Sequence, residues 1–234
     1  MQEEYQKKDT LLLHHPLRVV SLLIKNKVKP KFYSSHRARN GKEKNLFLQE
    51  ELFSKAKEAL RSNKKVSLEI GFGDGKSVID MATKKYEDYF FCVESYHKGV
   101  EILIKETKQR NLNNIFMLYG DAIDVIERLF DNKTINNIFI FFPDPWPKKR
   151  HKKRRILNEY SMNLLFNKLK DDGVFHFATD NIGYAYETRS LFSNYFSGNR
   201  KINFSAHRGD RPITKYEKKA LVKKNIIYDI IVKS

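Results

Sequence analysis

The chain has 234 residues, 41% of them hydrophobic, which suits one domain with a sizeable core and an arm. Lys and Arg number 45 against 28 Asp and Glu, a formal charge of +17 that excludes an acidic disordered chain and points to a polyanionic partner. One cysteine, Cys92, excludes a disulfide scaffold and suits a reducing compartment, and no apolar run approaches the ~18 residues of a membrane span.

Leu11 to Ile24 is apolar but carries His14, His15, Pro16 and Arg18 with no small-residue cleavage site after it, so it is not a signal peptide and a cytoplasmic protein is expected. Pro30 to Lys44 has no apolar period and reads as a basic stretch without regular structure. Asn45 to Arg61 predicts a helix, with Leu48, Leu52, Ala56 and Leu60 spaced by four. Short apolar runs then alternate with helical patterns. Strands are predicted at Val66 to Ile70, Tyr89 to Glu94, Ile115 to Leu118, Ile138 to Phe142, Val174 to Thr179 and Ile226 to Val232. Helices are predicted from about Ser77 to Lys85, Lys98 to Arg110, Ala122 to Phe130 and Arg155 to Leu169, the last stopped by Asp171-Asp172-Gly173. The alternation predicts an α/β fold: an open, mostly parallel sheet with helices on both faces. Residues 1–64 are expected to form a basic arm and helix, and 65–234 the main domain.

The charge is uneven. Residues 1–64 carry a net +8, and 65–147 hold 10 basic against 13 acidic residues. Lys148 to Arg155 has seven basic residues and no acid, and the last 36 residues are again +7. General Lys-richness would not leave the longest segment negative, so the basic blocks read as a surface for an anion.

In an open parallel sheet the ligand crevice lies at the carboxyl ends of the strands. Glu69, Glu94, Asp121, Asp144 and Asp180 fall there, and five acids in succession suit a cationic or donor-rich ligand. Gly71, Gly73 and Gly75 follow the first strand, where glycines allow a tight turn and close backbone approach. The spacing matches neither the dinucleotide fingerprint nor a P-loop. With Glu69 just before the glycines and Glu94 placed for ribose hydroxyls, the loop fits a nucleoside without pyrophosphate. S-adenosylmethionine, whose sulfonium is cationic, is that ligand.

Phe141 to Arg155 (Phe-Phe-Pro-Asp-Pro-Trp-Pro-Lys-Lys-Arg-His-Lys-Lys-Arg-Arg) puts Asp144 in the crevice, fixes its loop with prolines and follows it with cations. A purine on a nucleic-acid backbone meets both demands. These residues resemble the bacterial tRNA (guanine-N7)-methyltransferases, which act at guanine 46 of the tRNA variable loop. The resemblance begins near Pro16-Leu17-Arg18 and continues through Glu69-Ile-Gly-Phe-Gly73, Pro143 to His151, Phe177-Ala-Thr-Asp180 and Arg211-Pro-Ile-Thr-Lys-Tyr-Glu217. It implies a class I S-adenosylmethionine-dependent methyltransferase fold. It also implies that Glu69, Gly71, Gly73, Glu94, Asp121 and Asp144 hold the cofactor, with Asp144 catalytic. By the same likeness Lys148, Asp180, Thr214, Lys215, Tyr216 and Glu217 contact the guanine. Lys149, Arg150, His151, Lys152, Lys153, Arg154 and Arg155 would meet tRNA phosphates. The chain departs from the family at Ser95-Tyr96 before His97, at Lys152 where a second His is common, and at Lys218-Lys219-Ala220 after Glu217.

Guanine N7 bears a lone pair and no proton, so no general base is needed, and alignment with charge stabilisation carries the chemistry. No metal is required; His176, in Phe-His-Phe, alternates as a strand residue and is read as structural. Trp146 reads equally as a base-stacking or a packing residue. Two rivals stay open: an amino-methyltransferase of adenine or cytosine, which would use Asp/Asn-Pro-Pro-aromatic at this strand end, and a silent RNA-binding protein on the same fold. Monomer and homodimer are both compatible with the sequence.

Overall fold

A computed structural model describes residues 54–196, 201–205 and 208–233, together with the backbone course of 18–21. Eight strands make one sheet: β1 (Arg18–Ser21), β2 (Val66–Ile70), β3 (Tyr89–Glu94), β4 (Ile115–Tyr119), β5 (Ile135–Phe141), β6 (Leu169–Thr179), β7 (Lys201–Ser205) and β8 (Tyr228–Lys233). Their spatial order is β1-β4-β3-β2-β5-β6-β8-β7. β8 pairs antiparallel with both β6 and β7, and every other pairing is parallel. The chain moves outward from β2 through β3 to β4, then returns to place β5 on the other side of β2. That reversal is the switch point at which open α/β sheets bind ligands, so the ends of β2 and β5 frame the crevice.

The helices are α1 (Lys76–Lys84), α2 (His97–Gln109), α3 (Ala122–Leu129), α4 (Glu159–Lys168), α5 (Ile182–Phe196) and α6 (Lys215–Val222), with a 3-10 helix over Lys149–Arg154. β3 shows why the strands are continuously apolar: both faces are covered. Phe91 and Val93 enter one core cluster with Leu68, Phe116 and Ile138, and Phe90 and Cys92 enter the opposite one with Val78, Leu103 and Met117. Phe91 stacks on Phe116 with ring centroids 4.5 Å apart. The helical residues 54–60 put Ala56 and Ala59 into the first cluster; the rest of the helix expected from Asn45, and the Pro30 to Lys44 stretch, lie outside the described residues.

Two expectations change. The helix expected from Arg155 starts at Glu159, because Asn158 and Ser161 form a reciprocal capping box. Its supposed glycine stop is inside β6: Leu169 opens the strand at once, and Gly173 is buried in it. Leu169 pairs with Ile135 and Val174 with Asn137, so Lys170 to Gly173 are an excursion of the strand, with Lys133 Nζ 2.7 Å from Asp171. The strand expected at Ile226 to Val232 is β8, whereas β7, α5 and α6 carry no clear signal in the sequence pattern. Among the described residues no helix is long and apolar enough to cross a membrane, and no group of three or more His, Cys, Asp or Glu could hold a metal.

Candidate functional site

Gly71, Gly73 and Gly75 have φ of 75°, 60° and 76°, a backbone course that residues with a Cβ resist. Glu94, at the end of β3, pins this loop: its Oε2 accepts from the Gly73 N–H at 3.0 Å. Its Oε1 accepts from the N–H groups of Ser95 and Tyr96 at 2.7 and 2.9 Å. The start of α2 closes on the loop so tightly that a Cβ on Gly99 would lie 2.1 Å from the Gly73 carbonyl oxygen.

Glu69 is buried beneath the loop and accepts a hydrogen bond from the Ser77 hydroxyl on α1. Its Oε2 is buried with no hydrogen-bond partner among the described residues. Burial pushes its carboxyl up to about 8; Ser77 opposes this, and Asp74 and Glu94 add to it. An acid with an unsatisfied buried oxygen beside two further carboxylates favours a cationic or donor-rich ligand. Asp121 caps α3, its Oδ1 accepting from Ile123 N–H at 2.9 Å and Asp124 N–H at 3.4 Å, so the fold already uses one of its oxygens.

Asp144 is exposed on the loop after β5. The loop is bent by two non-glycine residues in the left-handed region, Phe142 at φ 52° and Trp146 at φ 41°. Each such residue costs about 1–3 kcal/mol, and such strain concentrates at functional sites. Trp146 is half-buried and lies under the Arg154 guanidinium at 4.8 Å, with the His151 ring edge-on at 5.8 Å. It packs against the basic helix, which favours the packing reading.

α6 brings the far motif over the crevice. Tyr216 is 55% exposed, yet its Cε2 would lie 3.6 Å from a Cβ on Gly73. Partial burial and then the carboxylates of Asp144, Glu94 and Asp74, from three separate segments, push its hydroxyl pKa up. Thr214 caps α6, its hydroxyl accepting from Glu217 N–H at 3.1 Å. Glu217 is buried against Arg211, with Nη1 donating at 2.5 Å. Arg211 also binds Asp229 of β8 through Nε at 2.5 Å and Nη2 at 3.0 Å. His176 Nε2 lies 2.7 Å from Asp229 Oδ1, so His176 is structural. Burial works against the Asp229 charge, but His176 and Arg211 outweigh it and hold the carboxyl low. Within Thr214 to Glu217, the outward-facing members are Lys215 and Tyr216. Asp180 accepts from Asn225 Nδ2 at 3.0 Å.

The basic run divides. Lys148, Lys149, Arg150, Lys152 and Lys153 are exposed, and His151 and Arg154 half-exposed. Partial burial and its cationic neighbours Arg154, Arg150 and Lys148 push His151 down. Arg155 does not belong to the displayed surface. It is buried and donates from Nε to the Pro145 carbonyl at 2.9 Å, and its guanidinium sits over the Tyr184 ring at 4.4 Å. Sequence reasoning noted Arg211 only as part of the resembling motif, and it missed Asp229 and Glu187. Asp229 had a signal, an acid inside the apolar Tyr-Asp-Ile-Ile-Val run; Glu187 had none.

The model of the family described as "Putative methyltransferase" matches residues 63–230. A tRNA (guanine-N(7)-)-methyltransferase of Nitrosococcus oceani is 37% identical over 163 residues, covering 70% of this chain and 69% of that protein. One of Buchnera aphidicola subsp. Schizaphis graminum is 36% identical over 171 residues, with 72% of each covered. Among solved structures, the precorrin-6y C5,15-methyltransferase of Geobacter metallireducens GS-15 matches with a TM-score of 0.53 and 13% identity over 83% of this chain and 93% of that one. An antibiotic-related methyltransferase matches at 0.55 and 14%, over 78% and 93%. These two establish the fold, that of the class I methyltransferases.

Proposed function

The chain belongs to the tRNA (guanine-N7)-methyltransferase family, and from that premise we propose that it methylates N7 of guanine 46 in the tRNA variable loop, using S-adenosylmethionine. It is an enzyme that methylates guanine N7 in tRNA. The observation that carries the finer reading is the loop after β5. Within one short strained turn it joins Asp144, at the crevice, to an exposed cationic helix.

S-adenosylmethionine suits the residues present: a left-handed glycine loop, Glu94 anchored beneath it, and the buried Glu69 Oε2, which has no hydrogen-bond partner among the described residues. Glu69, Gly71, Gly73, Glu94, Asp121 and Asp144 would hold it. When bound, it supplies an electrophilic methyl group on a sulfonium. Guanine N7 is already a nucleophile, so the chain has to align it and to balance the positive charge that develops on the purine. Asp144, exposed and flanked by prolines, is the carboxylate suited to that balance. Tyr216 offers a ring face beside it, and Asp180 and Lys148 complete the guanine site. Lys149, Arg150, Lys152, Lys153 and Arg154 position the tRNA by its phosphates without reading sequence.

The test is to incubate the full chain with unmodified tRNA and methyl-labelled cofactor, then separate the product nucleosides. Label in N7-methylguanosine is expected, and in Asp144→Ala it is lost while tRNA affinity stays within about 3-fold of wild type. Label on an exocyclic amine would contradict the reading.

A further inference from the structure

Glu187 lies on α5, exposed, 32 residues beyond the end of the basic run, yet one of its oxygens is shared by two cations of that run. Lys152 Nζ stands 2.6 Å from Glu187 Oε2 and Arg155 Nη1 stands 2.8 Å from the same atom. The two cations differ in kind. Lys152 is 45% exposed, on the face that would meet tRNA; the Arg155 side chain is 3% exposed and reaches inward. Its Nε–H is given to the carbonyl of Pro145, the residue after Asp144. A planar guanidinium held by a hydrogen bond at Nε and an ion pair at Nη1 is a stiffer link than a lysine would be. The loop it braces needs bracing, because Phe142 and Trp146 keep left-handed φ values only where their surroundings over-determine them.

We propose that Glu187 is a positioning residue for methyl transfer: through Arg155 it fixes the Asp144 loop, and through Lys152 it ties that loop to the tRNA-facing helix. This rests on the reading of Asp144 as the catalytic residue. Glu187 touches neither reacting group. Its removal takes an acid off a basic face, so tRNA binding should hold or tighten while the transfer slows. A purely structural contact would not split the two in that way.

The chain's one tryptophan, Trp146, sits in the braced loop and reports on it without any reaction. The experiment uses full-length Glu187→Ala, Glu187→Gln, Arg155→Lys and the Arg155→Lys/Glu187→Ala pair. Single-turnover transfer at saturating tRNA and cofactor, the tRNA Kd, the melting temperature and acrylamide quenching of Trp146 are measured. Glu187→Ala should slow transfer by up to about 100-fold, the scale of a group misplaced by an ångström. The tRNA Kd should not rise, and Trp146 should become more quenchable. Glu187→Gln keeps an acceptor oxygen and should recover part of the rate. The pair should be no slower than the slower single variant, since both break one strut. Transfer within about 2-fold of wild type in a folded Glu187→Ala protein, additive losses in the pair, or unchanged quenching in all variants would each overturn the proposal. If the wild-type chain moves no methyl group to tRNA, the functional reading fails; the quenching series still decides whether Glu187 fixes the loop.

Discussion

Glu69 is the strand-end acid that the fold buries, and its chemistry follows from that. With its carboxyl pushed up to about 8, the folded chain keeps a proton that the unfolded chain releases near 4.5. Its contribution to stability is therefore complete below about pH 4.5 and is lost as pH rises toward 8. The groups around it, Asp74, Glu94, Cys92 and Ser77, give no compensating cation. Without cofactor, unfolding free energy should fall between those limits with a slope of up to about 1.4 kcal/mol per pH unit. Glu69→Gln should flatten that slope, as urea unfolding across about pH 5 to 8 would read out; an equal slope in the variant would place the titration elsewhere. The sequence made this position legible as an acid before a glycine turn. It did not make the environment legible, because the desolvation comes from α1 packing over the strand end. Nor did it reveal the backbone at Phe142 and Trp146: Phe142, at φ 52°, donates its N–H to the Ala178 carbonyl of β6, and Trp146, at φ 41°, packs against Arg154 and His151 of the basic helix.

At the level of elements, the strands at β2 and β3 and the helices through α3 could be read closely, since one period dominated each segment. α5 was not, because its buried Tyr184, Ala185, Thr188, Phe192 and Phe196 mix with exposed Ile182 and Tyr186 and give no clean apolar face. The end of α4 is misleading because Asp171-Asp172-Gly173 has the residues of a helix stop; only the pairing of Leu169 with Ile135 shows that a strand has already begun. α6 is short and Lys-rich, and what holds it is Arg211, clamped between Glu217 of its first turn and Asp229 of β8. Replacing Arg211 by Met leaves buried Glu217 with only Arg208 at 3.8 Å and buried Asp229 with only His176 at 2.7 Å, and losing one partner of a buried pair costs about 3–5 kcal/mol in comparable cases. Urea unfolding at about pH 7 should show that loss in the midpoint. A loss under about 1 kcal/mol would mean the network contributes little and that α6 is held by its apolar contacts instead.

Over the whole molecule, the excess charge was visible from composition, and its grouping from the order of the chain. What composition hid is that the basic run is two things: a displayed face of lysines with Arg150, and a buried strut at Arg155. Changing Lys149, Arg150 and Lys153 together to Gln should weaken tRNA binding at physiological salt. It should also make the slope of log K against log salt shallower by up to about 3, near one unit for each phosphate that is no longer neutralised. The rate at saturating tRNA should change much less. An identical slope would move tRNA binding away from this helix.

In the proposed function, this crevice and this face together deliver one guanine N7 to a methyl group. N7-methylation leaves a guanosine whose strand is cut by aniline after borohydride reduction. The decisive measurement is therefore scission mapping of a tRNA transcript after reaction with the full chain and S-adenosylmethionine. A single cut at guanine 46 is expected, absent when that guanine is replaced by adenine; cuts elsewhere, or methylated product with no cut, would overturn the proposed function.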